Sequence, residues 1–167
     1  MLVPVFRDGE GELRVLLVQR GMRGIHAGQL GLPGGKQEPG DDSLLDTALR
    51  EAEEEVGLGR EEIEILTSLE PLDTRTSGFR VYPYLARITP PRRWRLAAGE
   101  ITGVLAPTVR ALADPSARHE RELSFATWPA SQRVDCVRLE GDRLLWGLTL
   151  RLLDPLLPRL LADEWAI

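Results

Sequence analysis

Three glutamates, Glu51, Glu54 and Glu55, are spaced so that a helix would place them on one side. At 3.6 residues per turn they fall within an arc of roughly 100°. Like charges three or four residues apart cost about 0.2–0.5 kcal/mol per pair. A hard divalent cation such as Mg²⁺, which binds carboxylate oxygens together with substrate phosphates, would neutralise this acidic strip. The solvated face of an ordinary amphipathic helix explains the same pattern, and the helix alone does not decide between them.

A glycine-containing loop, Pro33-Gly34-Gly35-Lys36, comes shortly before this helix. Paired glycines let the backbone approach a metal or a phosphate closely, and a carbonyl of Gly34 or Gly35 could be a further ligand. Alone, the glycine pair also fits a tight turn. Arg50 lies four residues before Glu54 and can pair with it, which leaves the other two glutamates to a metal. Together, the loop and the helix favour a metal site.

The helix that carries the glutamates is predicted over residues 43–56. Asp42 or Ser43 is its expected N-cap, and Gly57 is expected to end it. Its apolar residues share one arc, as an amphipathic helix requires. These residues are Leu45, Ala48, Leu49, Ala52 and Val56.

Short strands surround this helix in the predicted secondary structure. A hairpin turn is expected at residues 8–11, and further helices at 107–113 and 144–153, the second continuing past Pro155 and Pro158 with a break. Strands and helices mix without regular alternation, which predicts an α+β fold or a mixed-sheet sandwich. The predicted strands are residues 2–6, 13–19, 63–69, 79–88, 101–105, 123–128 and 134–139.

Composition narrows the class of protein. A length of 167 residues predicts one domain, 1–167. With 26 acidic against 21 basic residues, a nucleic-acid partner is not expected. Cys136 is the only cysteine, which fits a reducing compartment. The N-terminus does not resemble a signal peptide, and charges and prolines interrupt the most apolar segment, 144–161. We therefore expect a cytoplasmic protein with no membrane partner.

The segment Arg50-Glu51-Ala52-Glu53-Glu54-Glu55-Val56-Gly57-Leu58 resembles the C-terminal half of the Nudix box, G-x5-E-x7-R-E-U-x-E-E-x-G-U. The first half departs from it: counting from Gly35, Asp41 stands at the acidic position, and eight residues separate it from Arg50. The resemblance implies a Nudix-like α/β/α sandwich with a mixed sheet and a catalytic loop-helix-loop. It also implies metal ligation of Mg²⁺ or Mn²⁺ by Glu51, Glu54, Glu55 and a carbonyl of Gly34 or Gly35, with Arg50 in the catalytic set.

The one-residue insertion resembles the coenzyme A pyrophosphatase branch of the family. That branch carries an upstream signature of the type L-L-T-x-R-S, then R, then H-x-G-Q before F-P-G-G, and the chain matches it at Arg20, Arg23, His26 and the following glycine and glutamine. Val18, Gly21 and Leu32 depart from the signature. The segment 145–149, Leu-Trp-Gly-Leu-Thr, resembles the I-W-G-x-T that opens the last helix of that branch.

Several residues outside the box are candidates for chemistry. Glu100 matches an acidic position of the branch and is our candidate for an extra ligand or the general base, with an exposed loop carboxylate as the equally weighted alternative. Arg20, Arg23, His26 and Lys36 are candidates for binding substrate phosphates. A single loop histidine such as His26 is more often structural or solvated than a ligand.

Two other residues are expected to stand apart from the chemistry. His119 belongs to the charged segment 117–122, which predicts a solvated loop. Cys136 lies in a late predicted strand, which disfavours an isomerase on this fold because such an enzyme would need a reactive cysteine near the site.

The function expected from these observations is divalent-metal-dependent hydrolysis of a pyrophosphate bond in a nucleoside diphosphate derivative. Coenzyme A, giving 3′,5′-ADP and 4′-phosphopantetheine, is the leading substrate. The alternatives are ADP-ribose or another dinucleotide, or a nucleotide-sensing module that does not cleave. The number of metals, the general base and the oligomeric state stay open, and a homodimer is compatible with the leucine-rich C-terminal segment.

Overall fold

A computed structural model describes residues 1–21, 27–74, 78–124 and 130–167. In these ranges short strands surround one long helix, and shorter helices follow towards the C-terminus. The helices are α1 (Leu44–Val56), α2 (Val109–Ala113), α3 (Gly147–Leu153) and α4 (Leu157–Leu161). The strands are β1 (Leu2–Arg7), β2 (Leu13–Val15), β3 (Leu17–Arg20), β4 (Leu30–Gly31), β5 (Ile63–Ser68), β6 (Leu72–Asp73), β7 (Arg80–Val81), β8 (Tyr84–Ile88), β9 (Ile101–Leu105), β10 (Arg118–Leu123), β11 (Gln132–Arg138) and β12 (Leu144–Trp146).

Two sheets share the N-terminal strands. The first has the order β2-β1-β8-β5, in which β1 and β8 run parallel and the other pairs are antiparallel. The second has the antiparallel order β4-β3-β9. The predicted strand 13–19 is therefore divided, because β2 pairs with β1 whereas β3 pairs with β4 and β9. Two further sheets have the orders β10-β11-β12 and β6-β7.

The hydrophobic core lies on both faces of the first sheet, because strand side chains alternate. Leu2 and Phe6 pack in a cluster that includes Ala52 of α1. Val3 and Val5 point to the other side, into a cluster that includes residues of α2, α3 and α4. Helices therefore cover both faces of a mixed sheet, which confirms the predicted α+β sandwich.

Two of the predicted elements are wrong in detail. The expected helix 144–153 begins only at Gly147, whose φ is 68°, because residues 144–146 pair with β11 as strand β12. The expected strand 79–88 is two strands, β7 and β8, and Pro83 between them has no N–H to donate to a ladder. Backbone pairing with β11 outweighs the local apolar pattern at the first place, and the missing N–H of Pro83 interrupts the strand at the second.

Other predicted elements agree more closely with the structure. The predicted break after α3 is confirmed, since α4 starts beyond Pro155. Strand β10 ends at Leu123, where the predicted strand 123–128 begins, and residues 125–129 lie outside the described ranges. Among the described residues, no helix is long and apolar enough to cross a membrane.

Candidate active site

Helix α1 is fixed at both ends by local signals of the predicted kind. The Ser43 side chain accepts a hydrogen bond from the Asp46 N–H (3.1 Å) and caps the N-terminus. Gly57 takes a left-handed conformation with φ 72° and ends the helix. Ala48 and Ala52 are fully buried, so the face that they share is the packed one and the edge beside it presents the glutamates. The helix prediction is confirmed to within one residue.

Glu55 is buried, with only 5% of its surface exposed. Its carboxylate accepts a hydrogen bond from the Gly34 N–H (3.1 Å), and the Arg20 guanidinium stands 4.0 Å away. Burial raises the pKa of Glu55 to about 7, against the opposing effects of Arg20 and the Gly34 N–H. A carboxylate held in this way gains strongly from a cation brought next to it.

Glu51 lies against the same loop, at Gly35. A Cβ atom built on Gly35 would overlap the Glu51 carboxylate, so any side chain at this position would displace that carboxylate from the loop. Burial raises the pKa of Glu51, with Arg50 acting in the opposite direction. The loop thus contacts one carboxylate at Gly34 and another at Gly35.

Glu54 does not join this pair. Its side chain is 59% exposed and accepts a hydrogen bond from Nη1 of Arg50 (2.9 Å), the pairing expected from the spacing. Within the described ranges, no three Asp, Glu, His or Cys side chains lie close enough together to enclose an ion. The structure therefore brings together two of the three predicted carboxylate ligands and leaves the third beside them at the surface.

Arg50 organises the loop and the helix. Its Nε and Nη2 donate to the two carboxylate oxygens of Asp41 (2.9 and 3.1 Å), and Nη2 also donates to the Lys36 carbonyl (3.0 Å). Nη2 stands 3.2 Å from Oε1 of Glu51. The paired guanidinium holds the pKa of Asp41 well below its usual range. The sequence assigned no partner to Asp41, although its place at the acidic position of the motif was a usable signal.

The NUDIX domain family model matches residues 1–134, which include every carboxylate and arginine of this site. This chain belongs to the Nudix hydrolase family. The Nudix resemblance read from residues 50–58 is confirmed at the level of the family. The coenzyme A pyrophosphatase branch stays a prediction.

Two curated relatives carry the same family name. Nudix hydrolase 15, mitochondrial, of Arabidopsis thaliana is 33% identical over 153 residues, which cover 89% of this chain and 53% of the relative. The uncharacterized Nudix hydrolase NudL of Salmonella newport is 40% identical over 105 residues, covering 62% of this chain and 53% of the relative. The chain therefore spans about half the length of the curated relatives it matches.

Among solved structures, the Nudix hydrolase RenU of M. smegmatis superposes with a TM-score of 0.64 at 15% identity. The superposition covers 99% of this chain and 86% of that one. At this identity the likeness shows the Nudix fold alone.

Two further residues of this candidate site, Arg20 and Glu100, lie at the sheet β4-β3-β9, Arg20 in β3 and Glu100 in the turn just before β9. Arg20 ends β3 opposite Ile101, the first residue of β9, and the Gly21 N–H donates to the Glu100 carbonyl (2.6 Å). Glu100 is exposed, and its charge adds to the rise in the pKa of Glu55, although burial is the main cause. The structure thus brings both candidates next to the buried carboxylate.

Of the remaining phosphate-binding candidates, only Lys36 lies in the described part of the chain. Lys36 is exposed, and its Nζ stands 4.7 Å from the centre of the Phe79 ring. Phe79 has no role in the sequence-based prediction beyond starting the predicted strand 79–88. Arg23 and His26 lie outside the described residues, so their assignment stays a prediction.

The expectation for His119 is wrong. His119 lies in strand β10 opposite Cys136 of β11, not in a solvated loop, and its Nε2 atom is buried. Strand pairing with β11 gives this charged segment a regular backbone that its composition did not indicate. Cys136 is fully buried and its Sγ donates to the His119 carbonyl (3.2 Å), and burial raises the pKa of this thiol. These features describe an unreactive structural cysteine.

Proposed function

We propose that this Nudix protein hydrolyses the pyrophosphate bond of a nucleoside diphosphate derivative with Mg²⁺ or Mn²⁺ as cofactor. The leading substrate is coenzyme A or one of its derivatives, giving 3′,5′-ADP and 4′-phosphopantetheine. A small nucleotide is then the partner, and residues 1–167 act as one domain because α3 and α4 share the core with β1. A homodimer and a cytoplasmic location stay predictions.

The observation that carries the proposal is the pair of carboxylates, Glu51 and Glu55, on the glycine loop. Both have a pKa raised by burial, and one contacts the backbone at Gly34 while the other abuts Gly35. Glu55 is buried and Glu51 is partly buried against the same loop, and a cation bound between these carboxylates and the loop would offset the cost of their desolvation. A merely solvated acidic face would leave all the glutamates exposed.

The donor set fits Mg²⁺ or Mn²⁺. Both ions prefer oxygen ligands, and Mg²⁺ is commonly held by one or two carboxylates together with substrate phosphates, so Glu51 and Glu55 would hold it with a loop carbonyl of Gly34 or Gly35. Glu54 stands next to them, held by Arg50. When bound, a divalent ion polarises phosphoryl oxygens and lowers the pKa of water.

The residues around this pair have separate tasks in the proposed reaction. Arg50 fixes the distance between loop and helix through Asp41 and the Lys36 carbonyl. Arg20 and Lys36 bind the anionic oxygens of the diphosphate. Arg23 and His26, which follow Arg20 in the upstream signature, would do the same. Glu54 and Glu100 are the solvent-exposed carboxylates beside the pair and are our candidates for accepting the proton of the attacking water.

Coenzyme A is preferred as the substrate because of the flanking segments. It carries a diphosphate and a separate 3′-phosphate, so a site for it should have several positively charged side chains near the carboxylates. Arg20 of the upstream segment stands beside Glu55 in the structure, as this interpretation requires.

The test is a product analysis. The purified protein is incubated with Mg²⁺ or Mn²⁺ and with coenzyme A, ADP-ribose, NADH or a nucleoside triphosphate, and the products are separated by chromatography. We expect 3′,5′-ADP to appear fastest from coenzyme A. Glu54→Gln should abolish turnover with an unchanged far-UV circular dichroism spectrum, while Asp42→Asn, at an exposed position before α1, should retain it.

Each other outcome corrects a different part of the proposal. Faster cleavage of ADP-ribose or NADH would overturn coenzyme A as the substrate and keep the hydrolase. Tight nucleotide binding in Mg²⁺ with no product after long incubation would replace the hydrolase by a sensing module.

A further inference from the structure

Exposed aromatic side chains lie beside the glycine loop. Among the described residues, the large hydrophobic side chains with substantial exposure are Phe79 (48%), Tyr82 (39%) and Leu161 (43%). The two aromatic residues are three positions apart in the segment that links β6 to β8. The backbone of this segment also meets the first strand, since the Tyr82 carbonyl accepts a hydrogen bond from the Met1 amino group (3.2 Å). Two exposed aromatics in one segment beside a charged site suggest a binding surface.

The backbone holds Phe79 in place without burying its ring. Its N–H donates to Oγ1 of Thr74 (2.9 Å), and its carbonyl accepts from the Thr74 N–H (2.8 Å). The paired strands β6 and β7 flank this contact. Phe79 is therefore held at the backbone by Thr74 while its ring stays open to solvent, whereas a core phenylalanine would be covered.

A short series of contacts connects the Phe79 ring to the carboxylates. Nζ of Lys36 stands 4.7 Å from the ring centre, and the carbonyl of the same lysine accepts a hydrogen bond from Arg50 (3.0 Å). Nη2 of Arg50, in turn, stands 3.2 Å from Oε1 of Glu51. One lysine side chain thus separates the ring from the loop where a diphosphate would bind.

An exposed contact between an ammonium and an aromatic ring is weak, and an ammonium pairs more strongly with a phosphate oxygen. The arrival of a diphosphate at the loop therefore draws Lys36 off the ring. The vacated ring face is flat, apolar and open to solvent, which suits the face of a nucleobase.

We propose that Phe79 is the stacking surface for the purine base of the substrate nucleotide and that Lys36 exchanges between this ring and a substrate phosphate. The inference rests on the proposed function for the identity of the diphosphate site. It makes Phe79 a specificity residue that acts on binding and takes no part in the chemical step.

A binding measurement tests the proposal independently of turnover. The probe is 1,N6-etheno-ADP, whose fluorescence changes when its base stacks, titrated with wild-type protein in Mg²⁺. Phe79→Ala and Phe79→Leu should each weaken binding by about 5- to 50-fold, because both remove the flat ring, while Phe79→Tyr should restore it. Leu161→Ala is the matched control, since Leu161 is similarly exposed but lies on α4, which packs against α2.

The second experiment measures the steady-state kinetics of coenzyme A or ADP-ribose cleavage and their inhibition by pyrophosphate. Phe79→Ala should raise KM by a similar factor and leave kcat within about twofold, because stacking contributes to ground and transition states alike. Inorganic pyrophosphate, which has no base, should inhibit the wild type and Phe79→Ala equally.

Equal etheno-ADP affinities for the wild type and Phe79→Ala would overturn the stacking role. An equally large loss of pyrophosphate inhibition in Phe79→Ala would also overturn it, because the ring would then act only through the position of Lys36. Failure of the proposed hydrolase gives a different result, namely etheno-ADP binding that depends on Phe79 with no cleavage of any nucleotide.

Discussion

Charged side chains are held in opposite ways in the loop-helix region and in the sheet β10-β11-β12. In the first, Arg50 is 20% exposed and binds an Asp41 side chain that is 5% exposed. In the second, Arg133 of β11 and Glu120 of β10 form a diagonal ion pair at 3.6 Å, with 77% and 62% of their side chains exposed. Exposed pairs of this kind contribute little to stability. The difference teaches that a covered ion network, and not the number of charges, distinguishes the proposed active site from the rest of the molecule.

Together with the loss of turnover expected for Glu54→Gln, the largest expected effect comes from Glu55→Gln. The amide keeps the shape and can still accept the Gly34 N–H, but it removes the charge that would hold the metal. We expect kcat to fall by about 10³-fold or more, with the melting temperature maintained or raised, because a buried charge is lost. Steady-state kinetics and thermal unfolding check this. Substantial activity in the variant would mean that the metal binds elsewhere and that the loop-helix region is not the active site.

Gly35→Ala should have the next largest effect. The added methyl group overlaps the Glu51 carboxylate and must displace it, so we expect about a 10- to 100-fold loss of activity and of apparent Mn²⁺ affinity. Gly40→Ala is the matched control, because its Cβ meets nothing within 4 Å. Equal activities for the two variants would show that the position of Glu51 is unimportant.

Asp41→Asn tests the covered ion pair itself. Loss of the carboxylate frees Arg50, and we expect about a tenfold loss of activity because the loop is no longer held against the helix. Glu120→Gln, which breaks an exposed pair, should leave activity unchanged.

The stability difference between wild type and Asp41→Asn should depend on pH. Because Arg50 lowers the pKa of Asp41 in the folded state, its stabilisation is complete above an unfolded-state pKa of about 3.9 and is lost as the pH falls through the lower folded-state value. Urea unfolding at pH 7 and at pH 3 measures this. A difference that grows at pH 3 would contradict the ion-pair assignment.

The smallest effect is expected in the other region. Cys136→Ala removes a buried sulfur and leaves a small void, so the free energy of unfolding should fall by about 1 kcal/mol. Activity should not change, because Cys136 lies in β11 and not at the glycine loop. Loss of activity at unchanged stability would indicate that the Cys136 thiol takes part in the reaction.

Helix α1 was predicted well from the sequence because its signals are local. The Ser43 cap, the Gly57 stop and the contact between Arg50 and Glu54 each connect residues at most five positions apart. Because the backbone hydrogen bonds of a helix are made within one segment, its periodicity can be recognised in that segment alone.

The sheets were predicted less well because their hydrogen bonds join distant segments. Residues 144–146 have an apolar pattern that continues into α3, and only pairing with β11 makes them a strand. His119 looked solvated for the same reason, since its neighbours in sequence are charged and its covering neighbour, Cys136, is 17 residues away.

By itself, the sequence determined the family, the helix and the identity of the acidic residues, since these depend on residue types at fixed short spacings. Only the tertiary structure decided how those residues differ. Glu55 is buried and Glu54 is exposed although they are adjacent, because the glycine loop folds over one and solvent covers the other. The partner of Asp41 and the place of Phe79 were decided in the same way, because each depends on chain segments that meet only after folding.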